Sequence, residues 1–143
     1  RLDKDSHGLL LFTNHGDLCH RLLSPDYVHS KRYLVTVEPH FGVAELRGPV
    51  AEQFVRSISV GVTIKGELTK PCQVEMLATN RFAITLTQGR NRQVRLMALS
   101  LGYRVVDLQR VSIVNLELGD LAVDQWRSVD EGELMGLLAT FNE

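Results

Sequence analysis

Three short segments of this 143-residue chain concentrate groups capable of chemistry. The segment RLDKDSHG, at 1–8, sets two carboxylates, a hydroxyl and an imidazole directly before a run of leucines. KRY, at 31–33, joins two cations to an aromatic ring, and GRNRQVR, at 89–95, spaces three guanidinium groups. Together they supply a carboxylate, a ring and several arginines, the set needed to hold one flipped-out nucleobase. A carboxylate acts on the base, a ring stacks on it, and arginines hold the phosphates beside it.

Other chemistries fit these residues less well. Ser6-His7 has the residue types of a hydrolase, but sequence neighbours rarely face each other and no Gly-x-Ser-x-Gly elbow is present. His15, Cys19 and His20 suggest zinc and a metal-dependent hydrolase. A fourth ligand is missing, however, and Cys72 has no companion cluster, so Cys19 is expected as a small buried apolar residue. GRNR lacks the Gly-Lys-Ser/Thr ending of a phosphate-binding P-loop. Asp3 and Asp5 would point the same way in extended backbone and diverge in a turn, which leaves a paired-carboxylate site open. Asp5 and Ser6 also suit local turn hydrogen bonds.

The net charge of −1 argues weakly against a nucleic-acid partner, but its distribution reverses that. Residues 80–110 hold six arginines against Asp107 alone, while the rest of the chain is acidic. Arginine forks suit phosphates and base edges, although a solvated helix face with ordinary ion pairs would have the same composition. The length suits one domain over 1–143, and 44% hydrophobic with 23% charged residues is an ordinary globular mix. No apolar run is long enough to span a membrane, and the first residues carry no signal-peptide pattern. Two cysteines make no disulfide framework, which fits a reducing compartment.

The elements that must position these groups follow from local pattern. GLLLFT (8–13) reads as a buried strand, and NHGD as a turn in which Asp17 caps a short helix that ends at SPD, 24–26. KRYLVTVE (31–38) alternates, with Tyr33, Val35 and Val37 on one face, so Tyr33 could equally be a plain core residue. GPVAEQFVRSIS opens on Gly48-Pro49 and repeats Val50, Phe54 and Ile58, as an amphipathic helix does. Lys65-Gly66 turns a hairpin that leads into another strand, and RFAITLT (81–87) is a further strand. QGRN turns into helix RQVRLMALSL, with Val94, Met97, Ala98 and Leu101 on one face and Gly102 as its stop. YRVVDLQRVSIVNLEL forms one or two strands. SVDEGELMGLLATF is a helix with a capping box at Asp130 and Glu133 and a buried face of Leu134, Leu137, Leu138 and Phe141. This order predicts an α+β fold, with helices flanking a mixed, largely antiparallel sheet.

RLDKDSHGLLLFTN resembles the active-site motif of the RsuA-like branch of pseudouridine synthases. KRYLVTV is similar to the second motif of that family and QGRNRQVRLM to its third, while LGYRVVDLQRVSIVNLELGDL with QWRSVDEGEL resembles its C-terminal portion. The DKDSHG and TNHGDL wording is similar to the RluF subgroup. The resemblance runs in order from Arg1 to about Leu138. It implies the pseudouridine synthase fold with an RNA-binding cleft, and isomerisation of uridine to pseudouridine in RNA with no metal or organic cofactor. It implies 23S ribosomal RNA as substrate, with transfer RNA as an alternative, and a bacterial, cytoplasmic protein.

By the same resemblance Asp3 is the catalytic aspartate, Arg95 its cationic partner, and Tyr33 the ring that stacks on the base and the candidate for removing the C5 proton. Arg1, Lys31, Arg90 and Arg92 are expected to contact RNA. The chemistry agrees, since a carboxylate can attack C6 or C1′ or stabilise a cationic sugar, and the residues do not choose among these routes. Family members usually carry an S4-type RNA-binding domain and further catalytic-domain residues before the RLD motif. The expectation is therefore an N-terminally truncated catalytic domain whose missing S4 domain helps to bind RNA. The alternatives are a non-catalytic RNA-binding module and an inactive fragment.

Overall fold

In the computed structural model, which describes residues 1–24 and 26–141, the alternating segment that begins at Lys31 is the centre of the molecule. The elements in chain order are β1 (His7–Gly8), α1 (Gly16–Leu23), β2 (Lys31–Pro39), α2 (Gly48–Ser59), β3 (Thr63–Ile64), β4 (Glu67–Leu68), β5 (Gln73–Ala78), β6 (Arg81–Leu86), α3 (Gln93–Ser100), β7 (Tyr103–Ile113), β8 (Leu116–Glu117) and α4 (Glu131–Ala139). The main sheet runs β1-β7-β2-β6-β5, with β8 on the end of β7, and β3 and β4 form a separate hairpin. Only the β1–β7 pair is parallel. The fold is thus the α+β arrangement, with its mixed and largely antiparallel sheet, that the order of elements predicts.

One face of the sheet carries the core. Val35 and Val37 of β2 meet Phe82, Ile84 and Leu86 of β6 and Val105 and Leu108 of β7, and α2 and α3 cover them with Phe54, Ile58, Val94 and Met97. Phe54 packs edge-on to Tyr103 and tilted to Phe82, with ring centroids 5.3 and 5.2 Å apart. The buried stripe of α2 is Ala51, Phe54 and Ile58, while Val50 is partly exposed. Phe54 and Ile58 are buried as expected, and Ala51, which shares their face at helical spacing, takes the place of Val50. The opposite face carries the ion pairs Arg32–Glu75, Arg104–Glu38 and His7–Asp107.

A smaller cluster forms where Leu18 of α1, Leu116 of β8, Leu137 of α4 and Phe141 meet. The apolar run after Gly8 belongs here and is not the buried strand expected over 8–13. Only His7 and Gly8 pair with β7; Leu9 and Leu11 lean on this cluster, Leu10 is 43% exposed and Phe12 83% exposed. A strand needs a partner edge, and β7 is already shared between β1, β2 and β8. The cap of α1 is His15, whose Nδ1 accepts from the Leu18 amide at 3.2 Å; Asp17 lies in the first turn and pairs with Arg21. Cys19 is exposed, not buried. Pro25 of the expected stop lies outside the described residues. The capping box of α4 forms as expected, but its buried contacts are Leu137 and Phe141, with Leu134 and Leu138 partly exposed. No helix among the described residues is long and apolar enough to cross a membrane.

Candidate active site

The first turn, the start of β2 and the approach to α3 converge on one cleft of about 720 Å³. Six of the seven residues singled out by sequence line it: Arg1, Asp3, Lys31, Tyr33, Arg90 and Arg92. With Lys70 and Arg110, six lysines and arginines line it among the described residues, against Asp3 as the only carboxylate. A concave surface with that balance attracts a polyanion and holds its phosphates, whatever the net charge of the whole chain.

The position of Asp3 is set by a four-residue turn in which the Ser6 amide donates to the Asp3 carbonyl at 3.0 Å. Its side chain is partly exposed at the cleft wall, where a base could reach it. The loop is then pinned to β7 through Gly8, whose φ is +115°, and through the Leu9 amide, which donates to the Arg110 carbonyl at 2.8 Å. Asp3 therefore hangs from a short anchored turn at the sheet edge, which is more rigid than a free loop.

The arginine nearest Asp3 is not the one expected. Arg92 lies 3.8 Å from the Asp3 carboxylate and grips Asp5 with both terminal nitrogens, at 3.1 and 3.0 Å. Arg95, largely buried, donates to the Asp5 carbonyl at 2.9 Å and reaches the Ser6 hydroxyl at 3.4 Å and the Asp5 carboxylate at 3.5 Å. It lies outside the cleft lining, under the turn that carries Asp3. The reason is local. Arg92 adopts the left-handed conformation just before α3, φ 54°, while Arg95 follows one turn along the helix. Asp5 thus makes long-range ion pairs in place of the expected local turn bonds, and the two carboxylates share Arg92 while Asp5 alone also meets Arg95.

The Asp5–Arg92 pair holds the Asp5 carboxyl down to about 2, chiefly through the Arg92 hydrogen bonds. A carboxyl depressed in the folded state contributes stability in full above its ordinary value near 3.8, and loses it as pH falls toward 2. We expect Asp5→Asn to melt at a lower temperature than the parent by a constant margin above about pH 4, with the two converging near pH 2. Turnover at pH 7 should fall by about 10-fold, because Asp3 loses a fixed neighbour. Melting curves across pH and turnover of both proteins check this. A margin as large at pH 2 as at pH 7 would rule out the ion pair as its source.

Tyr33 packs against the core cluster and also lines the cleft. Arg90 reaches the cleft while its Nη2 contacts Glu67 at 3.1 Å. Of the six arginines in 80–110, Arg104 is spent on Glu38 across the opposite face.

Sequence reasoning missed Arg110, which is 3% exposed. Its Nε donates to the Leu9 carbonyl and its Nη1 to the Arg1 carbonyl, both at 2.9 Å, so it clasps the chain on either side of Asp3. A signal was available: Arg110 lies two residues from Leu108 on an apolar strand, where a charge at an inward position is unusual.

Comparison with known proteins shows the family and the fold. The RNA pseudouridylate synthase family model matches residues 1–100. The chain is 44% identical over 137 residues to the dual-specificity RNA pseudouridine synthase RluF of Escherichia coli (strain K12), covering 96% of this chain and 44% of that protein. It is 37% identical to the ribosomal small subunit pseudouridine synthase A of Pasteurella multocida (strain Pm70), covering 100% of this chain and 57% of the relative. A crystal structure of a pseudouridylate synthase superposes with a TM-score of 0.83 at 32% identity, over 95% of this chain and 56% of that one. The chain spans about half the length of the curated relatives it matches. A carboxylate, a ring and a basic cleft on this sheet, matched by the family model across all three motif segments, mean that the chain belongs to the RNA pseudouridylate synthase family, in the branch that holds RluF and the small-subunit synthase A.

Proposed function

We propose that this chain carries the catalytic machinery that isomerises uridine to pseudouridine in RNA, moving the glycosidic bond from N1 to C5 of the base. The observation that carries the reading is one cleft that, among the described residues, is lined by a single carboxylate, Asp3, together with Tyr33 and six lysines and arginines. A uridine turned out of its stack would lie on Tyr33, with Asp3 beside the base and ribose. Ionised Asp3 attacks the base or sugar, or stabilises the cationic sugar, while the uracil turns over. Tyr33 is the group suited to take the C5 proton. Arg95 acts from beneath, holding the turn that carries Asp3.

Arg1, Lys31, Arg90 and Arg92 serve the phosphates and the flipped geometry. The reaction as proposed uses no metal or organic cofactor. The proposed substrate is ribosomal RNA, most readily the 23S RNA of the large subunit, with transfer RNA as the second choice; the name of the RluF relative includes "dual-specificity RNA". An S4-type domain elsewhere in a full-length protein would add RNA contacts, and the setting would be the bacterial cytoplasm.

Tritium release from RNA labelled at uridine C5 tests the reaction itself, because C5 loses its hydrogen only when the new carbon–carbon bond forms there. Release from ribosomal or transfer RNA supports the reading; RNA binding without release would favour the non-catalytic module. Phosphate contacts also predict a salt dependence. The logarithm of the RNA association constant should fall linearly with the logarithm of salt concentration, and Arg90→Gln and Arg92→Gln should each lower that slope by about 1. A slope unchanged in both variants would remove them from the interface.

A further inference from the structure

Two cations on the cleft wall, Lys31 and Arg110, have no ion-pair partner among the described residues. Lys31 and Tyr33 lie two residues apart on the same face of β2, and Arg110 of β7 is the cross-strand partner of Tyr33. That pairing depends on a one-residue bulge: Arg32 pairs with Ser112 but Tyr33 with Arg110, so Val111 is the extra residue. A bulge beside a site re-aims a side chain, and here it sets Arg110, in place of Val111, across from Tyr33 in the register, with both residues lining the cleft. The ammonium of Lys31 lies beside Gly89, where an added Cβ would sit 3.8 Å from Nζ. Among the described residues, no carboxylate forms a salt bridge with Lys31 or Arg110. Arg110 spends Nε and Nη1 on carbonyls, which carry no net charge.

We propose that Lys31 and Arg110 form a built anion subsite that takes one phosphodiester group, that of the nucleotide whose base lies on Tyr33. The identity of this ligand rests on the RNA reading above; the anion chemistry does not. A buried guanidinium without a counter-charge is costly, and a fold retains it where a ligand supplies the missing charge. Repulsion within the group is consistent with this. Burial and then Arg110 push the Lys31 ammonium below its ordinary value, and burial and then Lys31 do the same to His29, which also lines the cleft. A bound phosphate would relieve the repulsion and accept charge-assisted hydrogen bonds from both side chains. The subsite would also place the ribose at a fixed distance from Asp3, so that phosphate binding selects the reactive position of the nucleotide.

The test follows the Arg110 Nε–H resonance by nuclear magnetic resonance at constant ionic strength while inorganic phosphate, uridine 5′-monophosphate, uridine or chloride is added. Phosphate and the monophosphate should shift it saturably, the monophosphate about 10-fold more tightly, and uridine and chloride should leave it in place. Lys31→Met should weaken phosphate binding by about 10-fold, and Lys31→Arg should restore it. Chloride acting like phosphate, no saturable shift, or equal binding by Lys31→Met would each overturn the subsite. Phosphate bound as tightly as the monophosphate would overturn its assignment to a nucleotide. Tritium release by the unsubstituted chain is read separately, so a failed subsite leaves the proposed reaction standing, and a failed reaction leaves the phosphate result intact.

Discussion

Asp3→Asn should abolish tritium release from C5-labelled RNA, by about 10³-fold or more, while RNA affinity stays within about 2-fold. The amide keeps the size and much of the hydrogen bonding of the carboxylate but removes the anion that attacks or stabilises the sugar. Among the described residues Asp3 is the only carboxylate lining the cleft; Asp5 lies outside that lining, held by both terminal nitrogens of Arg92. Removing one negative charge from a strongly basic cleft should, if anything, tighten phosphate binding slightly. Single-turnover release and filter binding, measured on the same RNA, separate the two effects. An Asn variant that still turns over would move the chemistry off Asp3, and one that no longer binds would make Asp3 a recognition residue.

Gly8→Ala should be nearly as damaging through geometry alone. Gly8 has φ +115°, and a Cβ there would lie 2.2 Å from the Arg110 carbonyl oxygen and 2.7 Å from the Arg110 amide nitrogen. Both neighbours are backbone in the second strand of the sheet and cannot swing aside, so the β1–β7 pairing must open. Strain and lost hydrogen bonds together should cost about 3 kcal/mol, or about 10 °C in Tm for a chain of this size. The turn carrying Asp3 would move with it, and a displacement near 1 Å costs about 100-fold in rate. Melting curves with turnover measured well below the new Tm distinguish the local effect from simple unfolding. A Gly8→Ala protein that melts and turns over like the parent would contradict this close approach.

Local pattern was enough for much of the fold. The alternation of 31–38 made β2, the glycine-proline opening made α2, Lys65-Gly66 made the hairpin, and the Asp130–Glu133 spacing made the capping box. In each case the signal lies within a few residues, because backbone geometry and caps are decided locally. The leucine run after Gly8 failed for the opposite reason. Its hydrophobicity is compatible with a strand, but a strand exists only where a partner edge is free. Here Leu9 and Leu11 serve a satellite cluster instead. The capping residue of α1 and the inward faces of α2 and α4 shifted by small angles that the surrounding contacts decide.

Within the site, the inventory is legible in the residues alone: one usable carboxylate, one ring and a cluster of arginines, in motifs that resemble those of the family. Which guanidinium meets which carboxylate was decided only in three dimensions. The left-handed Arg92 and the helical Arg95 both reach the 1–8 turn across about ninety residues of chain, and both engage Asp5. Arg110 became a site residue because a bulge at Val111 put it in register with Tyr33. Such pairings depend on strand register and on the direction of each Cα–Cβ bond, which are properties of packed neighbours and not of any one segment.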